Sequence, residues 1–162
     1  VVGKSEYMEK VKTKIVNLGL NLSPFEAWLA CRGLKTLGVR MDRHNRNAEK
    51  LAQFFRNQQG LKVFYPEYVS ENGNGAIVTV DLGEHYDVRR FFQNLSWVKI
   101  VATLAGVETS VSYPLSTSHR AIPQDTREKL GITEGLVRIS VGIEDGDEII
   151  EAFDHALKKS KR

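Results

Sequence analysis

The chain has 162 residues, of which 41% are hydrophobic and 27% charged, and its 23 basic and 20 acidic residues leave a net charge of +3. This composition is typical of a globular domain with a core, and it excludes disorder over most of the length. The near balance of charge favours no nucleic-acid partner. No apolar run approaches the roughly 20 residues of a membrane-spanning helix, so we expect no membrane partner either.

The single cysteine, Cys31, leaves no possibility of an intramolecular disulfide, and it fits a reducing, cytoplasmic location. Its apolar neighbours predict a buried side chain. The four histidines share no metal-ligand spacing with one another or with Cys31, so we expect no metal site. The chain opens with Val1 in place of Met, which we interpret as a piece of a longer protein.

The first third of the chain has helical patterns. Apolar residues at spacings of three and four predict a helix over residues 5–18. A second helix is expected after Ser23, because a hydroxyl followed by Pro24 and by Glu26 three residues after the cap forms a capping box. Its apolar face continues towards residue 60, although two glycines interrupt it, so this helix should be long.

Shorter elements follow as far as the end of the chain. Their order, without an internal repeat, predicts one α+β domain of the two-layer α/β type, with a small, mostly antiparallel sheet, flanking helices and a long N-terminal helix. The predicted strands cover residues 61–65, 76–81, 97–101, an extended run to 114, and 136–141; the predicted helices cover 85–95, 123–130 and a final helix capped by Asp145.

Two polar stretches could suggest other functions. The run Arg89-Arg90-Phe91-Phe92 has the basic and aromatic residues of a nucleic-acid binder, but an amphipathic helix with its phenylalanines inside explains it better. Residues 42–47 are all polar, and we interpret them as an exposed helix surface.

Arg138 is a permanent charge inside the strand-like sequence of residues 136–141. Alternation places Val137 and Ile139 on one face and Arg138 with Ser140 on the other. The pattern alone favours a half-exposed strand with Arg138 in water.

If the second face is covered, however, the guanidinium needs a carboxylate partner. The sequence offers internal candidates such as Glu108 and Glu144. The alternative is the carboxylate of a ligand.

Several segments, in this order and at these separations, together resemble one family; they are Ser23-Pro24-Phe25-Glu26-Ala27-Trp28-Leu29 with Arg32 to Leu37, Arg40-Met41-Asp42-Arg43-His44, Thr103 to Thr109, Tyr113-Pro114, Ser118-His119, and Gly131-Ile132 through Leu136 to Asp145. The family resembled is that of the pyridoxal-phosphate (PLP) enzymes of cysteine and methionine metabolism, which includes cystathionine γ-synthase, cystathionine β- and γ-lyase and methionine γ-lyase. The resemblance implies the C-terminal domain of a fold-type I PLP enzyme. On this basis residues 1–22 are a remnant of the preceding domain and the connecting helix, and residues 23–162 are the C-terminal substrate-binding domain.

The resemblance also implies a substrate site. Arg138 matches the arginine that binds the α-carboxylate of a sulfur amino acid, while Thr103 and Leu104 match residues on the substrate side of the cofactor. Thr103 stands where the family has Ser, and Ala105 stands where it has Gly, which gives up backbone freedom. Full-length members are homo-oligomers, namely tetramers.

The parent is therefore expected to be a PLP-dependent trans-sulfuration enzyme. The family's Schiff-base lysine lies in a Ser-x-Thr-Lys motif, which neither Lys4 nor Lys35 matches, so we expect this fragment alone to be inactive, with no catalytic residue and with unknown cofactor-binding residues. Family members that act at the γ-carbon often have an acid where Ala102 stands, whereas Ser118-His119 is nearer to β-lyases, so β- and γ-chemistry both stay open. A non-catalytic binding or interaction module derived from the family is the alternative.

Overall fold

Two helices, α1 (Ser5–Asn17) and α2 (Pro24–Leu34), form most of the first of two units in the computed structural model, which describes residues 2–162. The predicted capping box is present: the Glu26 N–H donates to Ser23 Oγ at 3.2 Å, and the Ser23 N–H donates to Glu26 Oε2 at 3.3 Å. No residue of either helix is buried. The prediction of a buried Cys31 is therefore wrong, because α2 exposes all its faces in this chain.

The long helix predicted after Ser23 is divided into two. Helix α2 ends in a turn in which the N–H and the hydroxyl of Thr36 both donate to the Gly33 carbonyl at 3.3 Å. A second helix, α3 (Leu37–Arg56), then begins. Local bonding by Thr competes with the helical pattern, and Gly33 lowers the cost of the break.

The second unit, which begins at Gly38, is built on a five-stranded sheet. Its spatial order is β1-β2-β5-β4-β3; three neighbouring pairs are antiparallel, and β3 and β4 are parallel. The prediction of a small, mostly antiparallel sheet is thus confirmed. The strands are β1 (Lys62–Phe64), β2 (Ile77–Asp81), β3 (Lys99–Ile100), β4 (Ser110–Ser112) and β5 (Leu136–Ser140).

Helices pack on one face of this sheet to form the core. Three fully buried rings join them: Phe153 lies 5.6 Å from Phe55 and 6.2 Å from Phe91, centroid to centroid. The burial of Phe91 confirms the amphipathic interpretation of its helix, and the helix-on-sheet arrangement confirms the two-layer fold. The remaining helices are α4 (Val88–Gln93), α5 (Gln124–Lys129) and α6 (Gly146–Ser160), with a 3₁₀ turn at Pro114–Ser116.

The polar stretch of residues 42–47 is not simply an exposed surface, because two of its side chains are buried. His44 Nδ1 lies 2.7 Å from the Val141 carbonyl, and since a carbonyl only accepts, Nδ1 carries the proton. The Asn47 amide donates to the carbonyls of Gly142 at 3.0 Å and Glu144 at 2.9 Å. Helix α3 therefore holds the backbone that follows β5. A polar sequence pattern alone does not show whether its side chains make such buried hydrogen bonds or extend into water.

Candidate functional site

The register of the sheet places Arg138 at the centre of the face opposite the helices. Val137 and Ile139, its neighbours along β5, are fully buried in the core. Across the strands, Arg138 pairs with Thr79 of β2 and with Ser112 of β4. The arginine is thus flanked by hydroxyl side chains, which can accept or donate hydrogen bonds but carry no charge to neutralise it.

Arg138 is half-buried, so the second face of β5 is partly covered and the guanidinium does not simply extend into water. Its Nη2 donates to the Thr103 carbonyl at 3.0 Å. Its Nε is buried and has no hydrogen-bond partner among the described residues. A buried donor without a partner costs about 1–3 kcal/mol, and more when the group is charged, so this atom marks a place where an acceptor is missing.

Neither internal candidate for the carboxylate partner reaches Arg138. Glu108 accepts a hydrogen bond from Lys99 Nζ at 2.8 Å, which holds the pKa of Glu108 below its ordinary value. Glu144 is bonded to Thr109. No salt bridge found in residues 2–162 includes Arg138. Of the alternatives weighed above, an external carboxylate is the one that stays open.

The segment of residues 103–109, which we call the covering segment, is bonded to the chain of β5 and beyond at residues 103, 105 and 109, on this face of the sheet. The Ala105 N–H donates to Ser140 Oγ at 3.2 Å, and the hydroxyls of Thr103 and Ser110 lie 3.5 Å apart. Ala105 has φ of +62°, in the left-handed region where glycine is favoured. The backbone here therefore keeps the conformation that a glycine would adopt without strain, and alanine adopts it at a cost of about 1–2 kcal/mol.

Of the three predicted site residues, the structure brings Arg138 and the Thr103 backbone into direct contact. Leu104, between Thr103 and Ala105, is 60% exposed and offers an apolar side chain at the surface of the site. Sequence reasoning did not identify the hydroxyls of Ser140 and Thr109 as part of this arrangement. Ser140 had a signal in its alternation with the core residues of β5, which places it on the same face as Arg138, whereas Thr109 precedes β4 and had no such signal.

At the far end of the covering segment, Thr109 is hydrogen-bonded to Glu144 and to Gly142. The Thr109 N–H donates to Glu144 Oε1 at 2.5 Å, and the Thr109 hydroxyl donates to Glu144 Oε2 at 2.8 Å. The same hydroxyl accepts from the Gly142 N–H at 2.9 Å. Each carboxylate oxygen is thus used, and Thr109 is buried, so the segment is fastened to the chain that follows β5.

A cleft of about 970 Å³ opens next to the site, with Ala102 and Ser112 in its wall. Arg138 is not among its lining residues, so this cleft and the unpaired Nε of Arg138 are adjacent and do not form one pocket. In the cleft, the Tyr113 hydroxyl donates to the Glu134 carbonyl at 2.8 Å. Burial raises the pKa of Tyr113, and the charge of Glu134 raises it further, so this hydroxyl is a donor at neutral pH.

No group of three or more histidine, cysteine or acidic side chains in residues 2–162 is arranged to hold a metal ion. No helix in that range is both long and apolar enough to cross a membrane. The site contains a guanidinium, several hydroxyls and backbone amides. These groups can bind an anion with defined geometry.

Known proteins are similar to this chain in sequence and in fold. The chain matches the family described as Cys/Met metabolism PLP-dependent enzyme over residues 1–158. It is 36% identical over 168 residues to a cystathionine beta-lyase of Bacillus subtilis, covering 96% of this chain and 43% of that protein, and 37% identical over 148 residues to a cystathionine gamma-lyase of the same species, covering 85% and 39%. The crystal structure of cystathionine gamma-lyase from Lactobacillus plantarum complexed with L-serine superposes with a TM-score of 0.85 at 27% identity, over 99% of this chain and 45% of that one. The chain therefore spans about two fifths of the length of the relatives it matches.

Proposed function

Because the chain belongs to the PLP-dependent enzymes of cysteine and methionine metabolism, we propose that it is the substrate-carboxylate-binding part of a trans-sulfuration enzyme. The activity is of the cystathionine β-lyase or γ-synthase/γ-lyase type, and the ligand is the α-carboxylate of a sulfur amino acid. Residues 23–162 are the substrate-binding domain of this proposal, and residues 1–22 belong to the preceding domain and its connecting helix.

The proposal is supported above all by Nε of Arg138, which is buried and has no hydrogen-bond partner among the described residues. The guanidinium has a fixed planar fork of donors, and one of them, Nη2, is already bonded to the Thr103 carbonyl. A carboxylate fits the Nε edge, because Nε–H and the second N–H of Nη2 can donate to its two oxygens in parallel charge-assisted bonds. Since Glu108 and Glu144 are engaged elsewhere, the substrate supplies that carboxylate.

Arg138 acts by positioning in this mechanism. A guanidinium does not lose its proton in a protein, so it cannot serve as a general acid or base. By fixing the carboxylate, it fixes the rotation of the substrate about its α-carbon and so decides which bond is aligned for cleavage. When bound, the family's cofactor supplies a sink for the electrons released at that carbon. Thr103 orients the guanidinium through its carbonyl, and Leu104 offers an apolar contact beside the substrate.

The choice between β- and γ-chemistry stays open. Identities of 36% to a β-lyase and 37% to a γ-lyase favour neither. Ala102 provides no acid before the covering segment, which is a feature expected of β-lyases, but it does not exclude γ-chemistry. A single exposed cysteine fits the reducing, cytoplasmic location that we also propose.

The chain alone is proposed to be inactive and prone to associate. It has no Ser-x-Thr-Lys motif to supply the lysine that binds the cofactor. Large apolar side chains of α1 and α2 are exposed, among them Phe25 at 66% and Trp28 at 58%, and such surfaces in soluble proteins mark interfaces. An oligomer in which they are covered is accordingly part of the proposal.

Kinetics of the full-length enzyme test the proposed role of Arg138. Arg138→Ala should raise KM for the amino-acid substrate by about 10- to 100-fold, the cost of losing charge-assisted hydrogen bonds. Arg90→Ala is the matched control, because Arg90 is exposed on α4 and does not line the cleft beside the site, and it should leave KM unchanged. An unchanged KM in Arg138→Ala would overturn the carboxylate role.

A further inference from the structure

Alternate residues after the start of β5 all bind the same covering segment. Arg138 donates to the Thr103 carbonyl, and Ser140 accepts from the Ala105 N–H. Two and four residues further on, Gly142 and Glu144 both bond to Thr109. The period of two means that one face of the chain, continued beyond the end of β5, holds the segment of residues 103–109 at successive points.

The last of these points is the strongest. Glu144 accepts two short hydrogen bonds from one residue, Thr109, and each involves a charged acceptor. The Ile143 N–H adds a backbone bond to the Val107 carbonyl at 2.9 Å. By contrast, residues 103 and 105 each make one such bond, from the Arg138 guanidinium to the Thr103 carbonyl and from the Ala105 N–H to the Ser140 hydroxyl. The segment is therefore held by more hydrogen bonds at its far end than at the end that touches Arg138.

Residues 142–144, to which Thr109 is bonded, are held on two sides. Asn47 of α3 donates to the carbonyls of Gly142 and Glu144 from one side, while Thr109 binds from the other. There is no space at Gly142 for a side chain, because a Cβ there would lie 2.5 Å from both the Thr109 nitrogen and the Val107 oxygen. The backbone of residues 142–144 thus cannot move without disturbing either the helix or the segment.

We propose that Glu144 and Thr109 are positioning residues for substrate binding. They hold the segment of residues 103–109 so that the Thr103 carbonyl engages Nη2 of Arg138 and leaves the Nε edge directed to the substrate carboxylate. The proposal rests on the proposed function of Arg138. It adds a claim that the function does not require, namely that a carboxylate remote from the substrate sets the geometry of the arginine.

The positioning claim is first tested on the chain itself by amide hydrogen exchange. In Glu144→Ala, the Ala105 amide should exchange at least about tenfold faster than in the parent, because the segment loses its anchor. The amide of Ile139, in the core of β5, serves as the internal measure of folding and should keep its rate. Thr109→Ser retains the hydroxyl and should behave as the parent, whereas Thr109→Val should behave as Glu144→Ala. Glu108→Gln removes an exposed carboxylate of the same segment but keeps an oxygen that can accept from Lys99, and it should change neither amide.

The second test uses the full-length enzyme. Glu144→Ala and Thr109→Val should raise KM for the amino-acid substrate by about tenfold with a smaller change in kcat, and Thr109→Ser should restore the parent KM. If Arg138→Ala raises KM while Glu144→Ala leaves it unchanged, the positioning role is overturned and the function of Arg138 stands. If Arg138→Ala itself has no effect, the proposed function fails whatever the exchange rates show. An unchanged Ala105 exchange rate in Glu144→Ala would show, whatever the activity, that Glu144 does not hold the segment of residues 103–109.

Discussion

Replacing Ala105 by glycine should stabilise the protein, although it shortens a side chain. Ala105 has φ of +62°, and an L-residue with a Cβ pays about 1–2 kcal/mol for this left-handed conformation, which glycine adopts freely. Glycine also gains freedom in the unfolded chain, which costs about 0.4–1 kcal/mol of stability. Since Ala105 is exposed, its methyl group contributes little burial. The difference predicts a gain of about 0.5–1 kcal/mol in the free energy of unfolding.

Urea unfolding followed by circular dichroism measures this difference. Two matched variants separate backbone strain from other effects of glycine. Tyr68, at φ of +58° and 96% exposed, should also gain stability on replacement by glycine. Ala121 is exposed without a positive φ, and Ala121→Gly should lose about 0.5–1 kcal/mol. If Ala105→Gly loses as much stability as Ala121→Gly, the strain attributed to the covering segment does not exist.

Three further outcomes are expected. Asp145 caps α6, and the hydrogen bond that it accepts from the Asp147 N–H, with the charge of Arg43 nearby, lowers its pKa below the ordinary value of 3.8. Because a lowered folded-state pKa contributes stability above about pH 4 that is lost as the pH falls, Asp145→Asn, which keeps the cap, should flatten the decline of stability between about pH 4 and 2. An unchanged slope would contradict this. Borohydride reduction of the chain mixed with PLP should give no stoichiometric pyridoxyl-lysine in the mass spectrum, and full labelling of one lysine would refute its inactivity. Sedimentation velocity should show association of the chain that weakens in a Phe25→Ser, Trp28→Ser double variant; a monomer at all concentrations would refute the interface.

The fold was predictable where one local rule determined the outcome. Alternating residues predicted β5 and its faces, and the capping residues Ser23 and Asp145 predicted where α2 and α6 begin. The apolar face of the predicted long helix continues across the Thr36 turn, but the helix itself is interrupted there, because hydrogen bonding and not hydrophobic spacing decides the conformation of that turn. Likewise, the burial of His44 follows from a carbonyl 97 residues away in sequence, which no local pattern reports.

The candidate site was predictable in part for the same reason. Alternation assigned Arg138 to the face opposite the core, but it could not say whether that face was covered. The covering segment lies 35 residues earlier, and its bonds to Ser140 and Glu144 depend on the pairing of β4 with β5. The resemblance identified Arg138 and Thr103 through matched motifs. It did not identify Thr109, because a threonine among loop residues has no distinctive pattern until its partner is known.

The central claim is that Nε of Arg138 receives a substrate carboxylate, and one comparison tests it most directly. In the full-length enzyme, the inhibition constants of a sulfur amino acid and of the corresponding amine without the carboxylate would be measured for the parent and for Arg138→Ala. The parent should bind the amino acid more tightly, and the substitution should weaken that ligand by about 10- to 100-fold while the amine keeps its affinity. If the substitution weakens both ligands equally, or neither, Arg138 does not bind the carboxylate.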